Sequence, residues 1–407
     1  MTPTDPAVSA VAKDIPSHAI LALSVASFGS GMSMRIVDSM LVRLAGDFGV
    51  SLGVAALAIT VFGVAYGLSQ LLFGPLGDRY GKYLVIAWGC VACALTALFC
   101  ALAPDFSALL VARALAGATC ASIIPLSMAW IGDVVAYEDR QAVLARFLIG
   151  QIMGLSSGIM LGGISADYLD WRFPFFLVSA AFLVTGLYLV RVNRRLPASA
   201  KTLHKAEGHA LARMVTEFRR VLEIRWARKV LGTVVIEGAL VYGALAFVPT
   251  HLHTVHHTSL AAAGILVMLF GLGGFLFAVR SRSLVKQLGE VGLVRYGSMT
   301  MALAMLMVAY SPVWWTAVPA CFIFGLGFYM MHNTLQINAT QMAPQRRGAA
   351  VAAFASCFFL GQSAGVATGG ALLVSIGSAH LLAAAGVGVL LIGQRFARLR
   401  AAKHATA

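Results

Sequence analysis

Twelve long apolar stretches are the feature of this sequence that most limits its fold. A helix needs about 20 apolar residues to cross the hydrocarbon core of a bilayer. With 59% hydrophobic and 11% charged residues, the 407-residue chain far exceeds the apolar share of a soluble domain. The pattern predicts an all-α integral membrane protein whose twelve transmembrane helices cover residues 18–45, 52–73, 83–103, 106–131, 142–164, 173–191, 229–250, 260–279, 291–310, 313–339, 348–373 and 379–396.

The positions of the basic residues predict how these helices are oriented. With both termini in the cytoplasm, only Arg43 and Arg172 of the 30 Lys and Arg residues fall on the outer side, while Arg35 and Arg113 lie within helices. Cytoplasmic loops of membrane proteins carry such an excess of Lys and Arg. The net charge of +14 is therefore an orientation signal, and no nucleic-acid partner is expected.

The N-terminal residues and the cysteines exclude two other interpretations. Residues 1–17 have neither the basic region nor the cleavage site of a signal peptide, so we expect a cytoplasmic tail. All six cysteines lie inside predicted helices, where a thiol behaves as a small apolar group. Cys90-x-x-Cys93 is therefore expected to serve packing, with no metal site, redox chemistry or cofactor.

One hydrophilic segment divides the chain into two halves. This linker covers residues 192–228 and separates two six-helix bundles at 18–191 and 229–396, which are followed by a cytoplasmic tail at 397–407. Apolar residues at helical spacing indicate an amphipathic helix that lies on an anionic leaflet or packs beneath the bundles. These apolar residues are Leu211, Val215, Phe218 and Leu222.

The two halves share an internal repeat of the kind that transporters use. The run Gly150-Gln151-x-x-Gly154-x-x-x-Gly158 recurs 211 residues later as Gly361-Gln362-x-x-Gly365-x-x-x-Gly369. Gly81 and Gly89, which open the third helix, likewise have counterparts 208 residues later, Gly289 and Gly297, which open the ninth. Two independent matches at nearly one offset indicate duplication of a six-helix unit.

A charged, glycine-rich stretch follows the second apolar run. It reads Gly74-Pro75-Leu76-Gly77-Asp78-Arg79-Tyr80-Gly81-Lys82. Proline and the paired glycines are expected to break the preceding helix, and the charged side chains hold the turn in water. The stretch resembles the G-x-x-x-D-R-x-G-[RK] loop signature of Major Facilitator Superfamily transporters, and every fixed position is present.

The resemblance assigns this loop a role in closing the protein. It implies that Asp78 and Arg79 latch the two halves together on the cytoplasmic side, within a motif completed by Gly74, Gly77, Gly81 and Lys82. Arg140, or the start of helix eleven after Arg347, could supply the partner. The alternative is that these charges only fix the topology.

Four ionisable residues lie inside predicted membrane helices, where a charge is costly and marks a functional candidate. Arg35 and Asp38 are three residues apart on the first helix and so share a face, Arg113 is on the fourth, and Glu237 is near the middle of the seventh. At 1.5 Å per residue, Asp38 and Arg113 lie about 10 Å and about 8 Å outside the midplane. We therefore expect Arg113 to offer Asp38 a guanidinium fork.

A narrower resemblance is to twelve-helix drug/proton antiporters. Arg113-Ala-Leu-Ala-Gly117 is similar to their helix-four R-x-x-x-G motif, whose Arg is tied to proton transfer, and the segment from Asp38 to Gly49 is similar to their helix-one acidic motif. The resemblance implies a cavity lined by helices one, four, seven and ten, with proton coupling at Asp38. The helix-five glycines expected to allow close packing are Gly150, Gly154, Gly158, Gly162 and Gly163, without the proline of the antiporter motif.

Polar residues on three helices are candidates to contact a substrate. Helix ten contributes Tyr329, His332, Asn333 and Gln336, and the glycine repeat contributes Gln151 and Gln362. Hydrogen bonding between helices is the alternative role for the helix-ten set. A histidine cluster after helix seven, from His251 to His257, is expected to be exposed at the interface and to titrate near neutrality, with metal binding as the alternative.

The sequence thus predicts a secondary active transporter that exports a small apolar or amphipathic solute, such as a drug or metabolite, by proton-coupled alternating access. Proton-coupled uptake is the alternative. Gly154-Leu-Ser156-Ser-Gly158 matches the G-x-S-x-G elbow of serine hydrolases, but that elbow needs a strand–turn–helix context, so no enzyme is expected. The expected partners are a small-molecule substrate, protons and the lipid bilayer, for a monomer in the inner (cytoplasmic) membrane.

Overall fold

The computed structural model describes residues 17–197, 200–201 and 210–405, and within these ranges the regular elements are helices. The predicted tail up to residue 16 and the linker residues 198–199 and 202–209 lie outside the described residues. Ten helical stretches of the described chain are long and apolar enough to cross a bilayer. The α-helices are α1 (Ser17–Arg35), α2 (Leu41–Phe48), α3 (Leu52–Ala55), α4 (Leu57–Tyr80), α5 (Lys82–Ala101), α6 (Phe106–Cys120), α7 (Ile123–Val134), α8 (Tyr137–Tyr168), α9 (Phe173–Arg195), α10 (Ala210–Glu223), α11 (Arg225–Leu245), α12 (Val248–His256), α13 (Leu260–Tyr310), α14 (Ala317–Gln341) and α15 (Arg347–Ala405).

Two of these helices are much longer than a bilayer is thick. Helix α13 has 51 residues and α15 has 59, whereas about 20 residues cross the hydrocarbon core. Each contains one glycine with non-helical backbone angles, Gly289 at φ 62° and Gly377 at φ 76°. Positive φ costs glycine little, so these residues divide both helices within the predicted loops. Helix α15 also continues to Ala405, past the predicted end of the last helix at residue 396.

Three of the predicted continuous helices are interrupted along their length. Helix α6 ends at Cys120. The ring of Pro125, near the start of α7, would clash with the carbonyl of Ala121 if the helix continued without a break. Pro249 acts in the same way on the carbonyl of Leu245, the last residue of α11. The first membrane segment is interrupted by a 3-10 turn at Asp38–Met40.

Close packing of α8 on α1 organises the first half of the protein. Four of the five helix-five glycines face backbone carbonyl oxygens of the first membrane segment at every fourth position, so the two backbones touch, whereas Gly163 faces the Leu260 carbonyl oxygen of the second half. A Cβ atom at Gly158, for example, would lie 2.5 Å from the Met32 carbonyl oxygen. The glycines Gly150, Gly154, Gly158 and Gly162 face Ser24, Phe28, Met32 and Ile36 in that order.

The second half repeats this packing 211 residues later. Helix α15 lies along α11 through three glycines that face carbonyl oxygens of α11. Each contacting pair is the counterpart of a pair in the first half, so the sequence repeat corresponds to a repeat of helix contacts. The three pairs are Gly361 on Val235, Gly365 on Ala239 and Gly369 on Gly243.

The two halves meet where α4 contacts α15 and α8 contacts α13. At one end of the bundle they touch backbone to backbone. A Cβ atom at Gly53 would lie 2.5 Å from the Gly370 carbonyl oxygen, and one at Gly264 would lie 2.8 Å from the Ile159 carbonyl oxygen. These two contacts are again related by 211 residues. We call them the paired glycine seal.

The linker contains a helix, α10, as the spacing of its apolar residues predicts. The side chains of residues 210–215 lie outside the described part of the chain, which includes the predicted apolar positions Leu211 and Val215. Phe218 packs against the core of the second half, and Glu217 Oε2 lies 2.6 Å from Arg346 Nε at the start of α15. These contacts favour packing beneath the bundles over lying free on a lipid leaflet.

Candidate functional site

Arg35 and Asp38 form a buried ion pair at the bend of the first membrane segment. Helix α1 ends at Arg35 and the 3-10 turn begins at Asp38, which lets Arg35 Nη1 donate to Asp38 Oδ2 at 2.9 Å. Their side chains are only 2% and 1% exposed. The Arg35 guanidinium carbon also lies 3.9 Å from the ring centroid of Tyr242 on α11. The pair thus joins the first half to the second through a cation–π contact.

Arg113 does not form the expected fork with Asp38. Its Nε donates to the Ala58 carbonyl at 3.1 Å and its Nη1 to the Ser33 carbonyl at 2.9 Å, while the guanidinium lies 4.2 Å from the Phe62 ring centroid. The Ser33 carbonyl lies in the last turn of α1, where the helix end leaves it free to accept, whereas Ala58 lies in the first turn of α4. Arg113 and Asp38 were expected to meet because they lie at the same depth in the membrane. The rotation of α6 about its axis instead turns the Arg113 side chain toward backbone carbonyls.

Glu237 pairs with a residue of the helix-ten set, for which the sequence offered substrate contact and hydrogen bonding between helices as alternatives. His332 Nδ1 on α14 lies 2.8 Å from Glu237 Oε2 on α11, and the Glu237 side chain is fully buried. The imidazole lies among three aromatic rings, with centroid distances of 4.9 Å to Phe328, 5.4 Å to Phe354 and 4.6 Å to Phe358. Two predicted candidates therefore form a second intramembrane acid–base pair, within the second half.

A small cavity lies between the two halves at the level of Arg35. Its volume is about 10 Å³, room for roughly one water molecule. Tyr329 is the one predicted cavity candidate that lines it, together with Arg35, and the aromatic rings of Tyr242 and Phe270 were missed by the sequence reasoning. The other residues lining the cavity are Ile152, Leu155, Ser156, Ile159, Leu245 and Gly271.

The remaining cavity candidates are not among the residues that line this space. Gln362 is buried, Gln151 and Asn333 are half-buried, and Gln336 is exposed. Asn338, one turn further along α14, donates to Glu290 Oε2 at 3.0 Å, and Arg400 donates to both oxygens of that carboxylate. The hydrogen bond between Asn338 and Glu290 joins α14 to α13. Such bonding between helices was the alternative role for the polar side of helix ten.

The predicted glycine-rich loop is mostly helix. Helix α4 continues through Pro75 to Tyr80, and only Gly81, at φ 92°, leaves helical geometry. Proline removes one backbone hydrogen bond, and at the end of a membrane helix water can satisfy the freed carbonyl, so the expected break at Gly74 was wrong. A Cβ atom at Gly77 would lie 2.8 Å from Leu126 Cδ2, so a larger residue there would require the Leu126 side chain to shift.

The charges of this motif pair within the first half of the protein. Lys82 Nζ lies 2.5 Å from Asp133 Oδ2 at the end of α7 and 3.8 Å from Asp78 Oδ1. Arg79 lies over the ring of its neighbour Tyr80, with 5.2 Å between guanidinium carbon and ring centroid. The lysine thus ties α5 to α4 and α7 at the end of the bundle opposite the paired glycine seal.

Two further sequence interpretations are settled by local geometry. His251 is buried rather than exposed, since its Nδ1 lies 2.8 Å from Ser378 Oγ and its Nε2 lies 3.0 Å from the Val308 carbonyl oxygen. These partners occupy both ring nitrogens. Ser156 lies inside the continuous helix α8, packed against Gly271, and so lacks the strand and turn of a hydrolase elbow.

Comparison with known proteins agrees with this architecture. The family model of the Major Facilitator Superfamily matches residues 23–366. The MFS-type transporter YwfA of Bacillus subtilis (strain 168), itself uncharacterized, is 26% identical over 362 residues, which cover 88% of this chain and 86% of the relative. The multidrug export protein EmrB of Escherichia coli (strain K12) is 29% identical over 157 residues, 39% of this chain and 31% of EmrB.

Solved transporters share the fold. A point mutant of the nucleoside transporter NupG superimposes with a TM-score of 0.76 at 13% identity, covering 93% of this chain and 98% of NupG. A point mutant of the peptide transporter POT gives 0.76 at 16% identity, covering 97% of this chain and 98% of POT. The resemblance of the sequence motifs is thus confirmed over most of the chain, and the protein is a membrane transporter that belongs to the Major Facilitator Superfamily.

Proposed function

We propose that this transporter exports a small apolar or amphipathic solute in exchange for protons. The observation that carries the proposal is the buried Arg35–Asp38 pair, which lines the cavity between the halves through Arg35 and contacts the second half through Tyr242. An ionisable pair inside the membrane is costly unless it serves a function. A carboxylate that alternates between Arg35 and a proton would change a contact between the two halves.

The proposed topology has twelve membrane crossings and both termini in the cytoplasm of the inner membrane. Division of α13 at Gly289 and of α15 at Gly377 supports this number, because each helix then supplies two segments of membrane length. The distribution of Lys and Arg supports the orientation. With this orientation the paired glycine seal lies on the outer side, and Asp78, Arg79 and Lys82 lie on the inner side, where we propose that they stabilise cytoplasmic closure. We propose a monomer as the functional unit.

Export is preferred over proton-coupled uptake on two grounds. EmrB, which matches 39% of this chain, is by name a multidrug export protein. The cavity wall is aromatic and aliphatic apart from Arg35 and hydroxyl groups, which suits an amphipathic solute. Proton-coupled uptake of a small organic solute stays the alternative, since the same carboxylate chemistry serves either direction.

The test is gradient-driven transport in everted membrane vesicles with a fluorescent pH readout. Asp38→Asn should abolish proton movement on addition of substrate while expression stays normal, because Asn keeps the shape but carries no exchangeable charge. Asp47→Asn is the matched control, since Asp47 forms a surface ion pair with Arg43 in the same membrane segment. Transport against a gradient by the Asp38→Asn variant would refute the assignment and would move attention to Glu237. A screen of candidate solutes in the same vesicles tests the direction.

A further inference from the structure

Arg35 provides the charged group in the wall of the central cavity. Of the described residues that line this space, Arg35 alone carries a formal charge, and it is surrounded by the rings of Tyr242, Phe270 and Tyr329. The cavity lies at the junction of both halves, with Ile152 to Ile159 on one side and α11, α13 and α14 on the other. A solute held here would be reached from either side of the membrane as the halves separate in turn.

One donor nitrogen of Arg35 has no partner. Nη1 is used by Asp38, and the face of the guanidinium is covered by Tyr242 at 3.9 Å. Nη2 is buried and makes no hydrogen bond within the described structure. Buried N–H groups are almost always satisfied by protein or by ordered water, and the cavity has room for about one water molecule. An acceptor on a bound ligand can therefore satisfy this unpaired donor of a residue that lines the cavity.

We propose that Arg35 recognises the transported solute through Nη2, and that this solute is a neutral aromatic compound bearing a carbonyl-type acceptor. The inference rests on the proposed transport function, since it names the substrate class for the same cavity. The carbonyl oxygen of the solute accepts the Nη2 hydrogen bond, and its ring packs against Tyr242, Phe270 and Tyr329.

The charges of the site select a neutral solute. Asp38 neutralises Arg35, so a carboxylate entering the cavity meets an anion beside its binding group. A quaternary cation has no lone pair that could accept a hydrogen bond from Nη2, so it leaves this donor unpaired. The three aromatic side chains provide ring faces and edges, with centroids 6.3 Å apart for Tyr242–Phe270 and 6.1 Å apart for Phe270–Tyr329.

The same geometry couples solute to proton. Arg35 Nη1 donates to Asp38 Oδ2, so a proton on Asp38 weakens the ionic bond that holds the guanidinium in the cavity wall. The other charged group that acts on Asp38 is Arg113 of α6, which stays bound to the Ala58 and Ser33 carbonyls. Solute and proton therefore bind in alternation. Affinity for the solute should fall as the pH is lowered, and Asp38→Asn should remove that dependence.

The experiment measures binding of four matched bicyclic aromatics to the purified full-length protein by equilibrium dialysis. 7-Methoxycoumarin carries a ring carbonyl, 2-methoxynaphthalene lacks it, 2-naphthoate is an anion and 1-methylquinolinium is a cation. The wild type should bind 7-methoxycoumarin at least about tenfold more tightly than each of the others, because a hydrogen bond from a charged donor in a dry site contributes that much. Arg35→Gln should bring the coumarin and naphthalene affinities together.

Three variants separate recognition from folding. Arg35→Gln leaves Asp38 buried without its partner, so the double variant Arg35→Gln/Asp38→Asn removes both charges and guards against misfolding. Arg43→Gln makes the same change at an exposed arginine and should leave all four affinities unchanged. A coumarin preference that survives both Arg35 variants overturns the proposal.

Two other results also overturn the proposal, namely equal or unmeasurable binding of coumarin and naphthalene, and a preference for the anion or the cation. Arg35-dependent coumarin binding without any pH-gradient-driven transport would support the recognition site while contradicting proton-coupled export.

Discussion

Gly158→Ala tests whether backbone contact between α1 and α8 holds the first half together. A Cβ atom at Gly158 would lie 2.5 Å from the Met32 carbonyl oxygen and 3.0 Å from Met32 Cα. Ordinary van der Waals contact begins near 3.4 Å, so the helices must separate locally by roughly 0.9 Å. Backbone atoms yield less easily than the end of a side chain. Overpacking of this kind costs about 1–3 kcal/mol.

The assay is thermal unfolding of the purified protein in one detergent at one scan rate, followed by intrinsic fluorescence. Gly132→Ala is the matched control, because a Cβ atom at Gly132 in α7 meets nothing within 4 Å. That change should be neutral, or stabilising by up to about 1 kcal/mol through the higher helix propensity of alanine. A Gly158→Ala variant whose unfolding midpoint equals or exceeds that of Gly132→Ala would refute the reasoning.

Two further predictions concern the ionic contacts. Glu237→Gln and His332→Gln should each reduce the initial rate of pH-gradient-driven transport in everted vesicles. Both changes break the same 2.8 Å contact, so the double variant should be no slower than the slower single variant. Additive losses would show that the two residues act separately. Lys82→Met should lower the unfolding midpoint less than Gly158→Ala does, because the 2.5 Å pair with Asp133 is partly exposed and contributes at most about 1 kcal/mol. An equal or larger loss, insensitive to added salt, would contradict this estimate.

Features encoded by periodicity along the chain were predictable from the sequence. Glycines spaced by four residues, from Gly150 onward, indicated a close helix contact, and the structure has the backbone of α1 there. The repeat offset of 211 residues predicted that the second half would copy the first, and the contacts of Gly361 and Gly365 on α11 do so. Such patterns depend only on helical geometry, which the sequence specifies locally.

Contacts that depend on how each helix is rotated were not predictable in the same way. Depth along the helix axis placed Arg113 level with Asp38, but the direction of its side chain is set by packing of α6 on α4, and it bonds to Ala58 and Ser33 carbonyls instead. The pairing of Glu237 with His332 joins residues 95 positions apart. Nothing in either segment specifies the other, although each was recognisable as a polar residue in an apolar helix.

The paired glycine seal has a mechanical consequence. Its two contacts, Gly53 with Gly370 and Gly264 with Ile159, are copies of each other under the repeat and so stand at equal lever arms from the axis that relates the two halves. A side chain at Gly53 or Gly264 would meet backbone of the other half, so either change would hold the two halves apart at this end of the bundle.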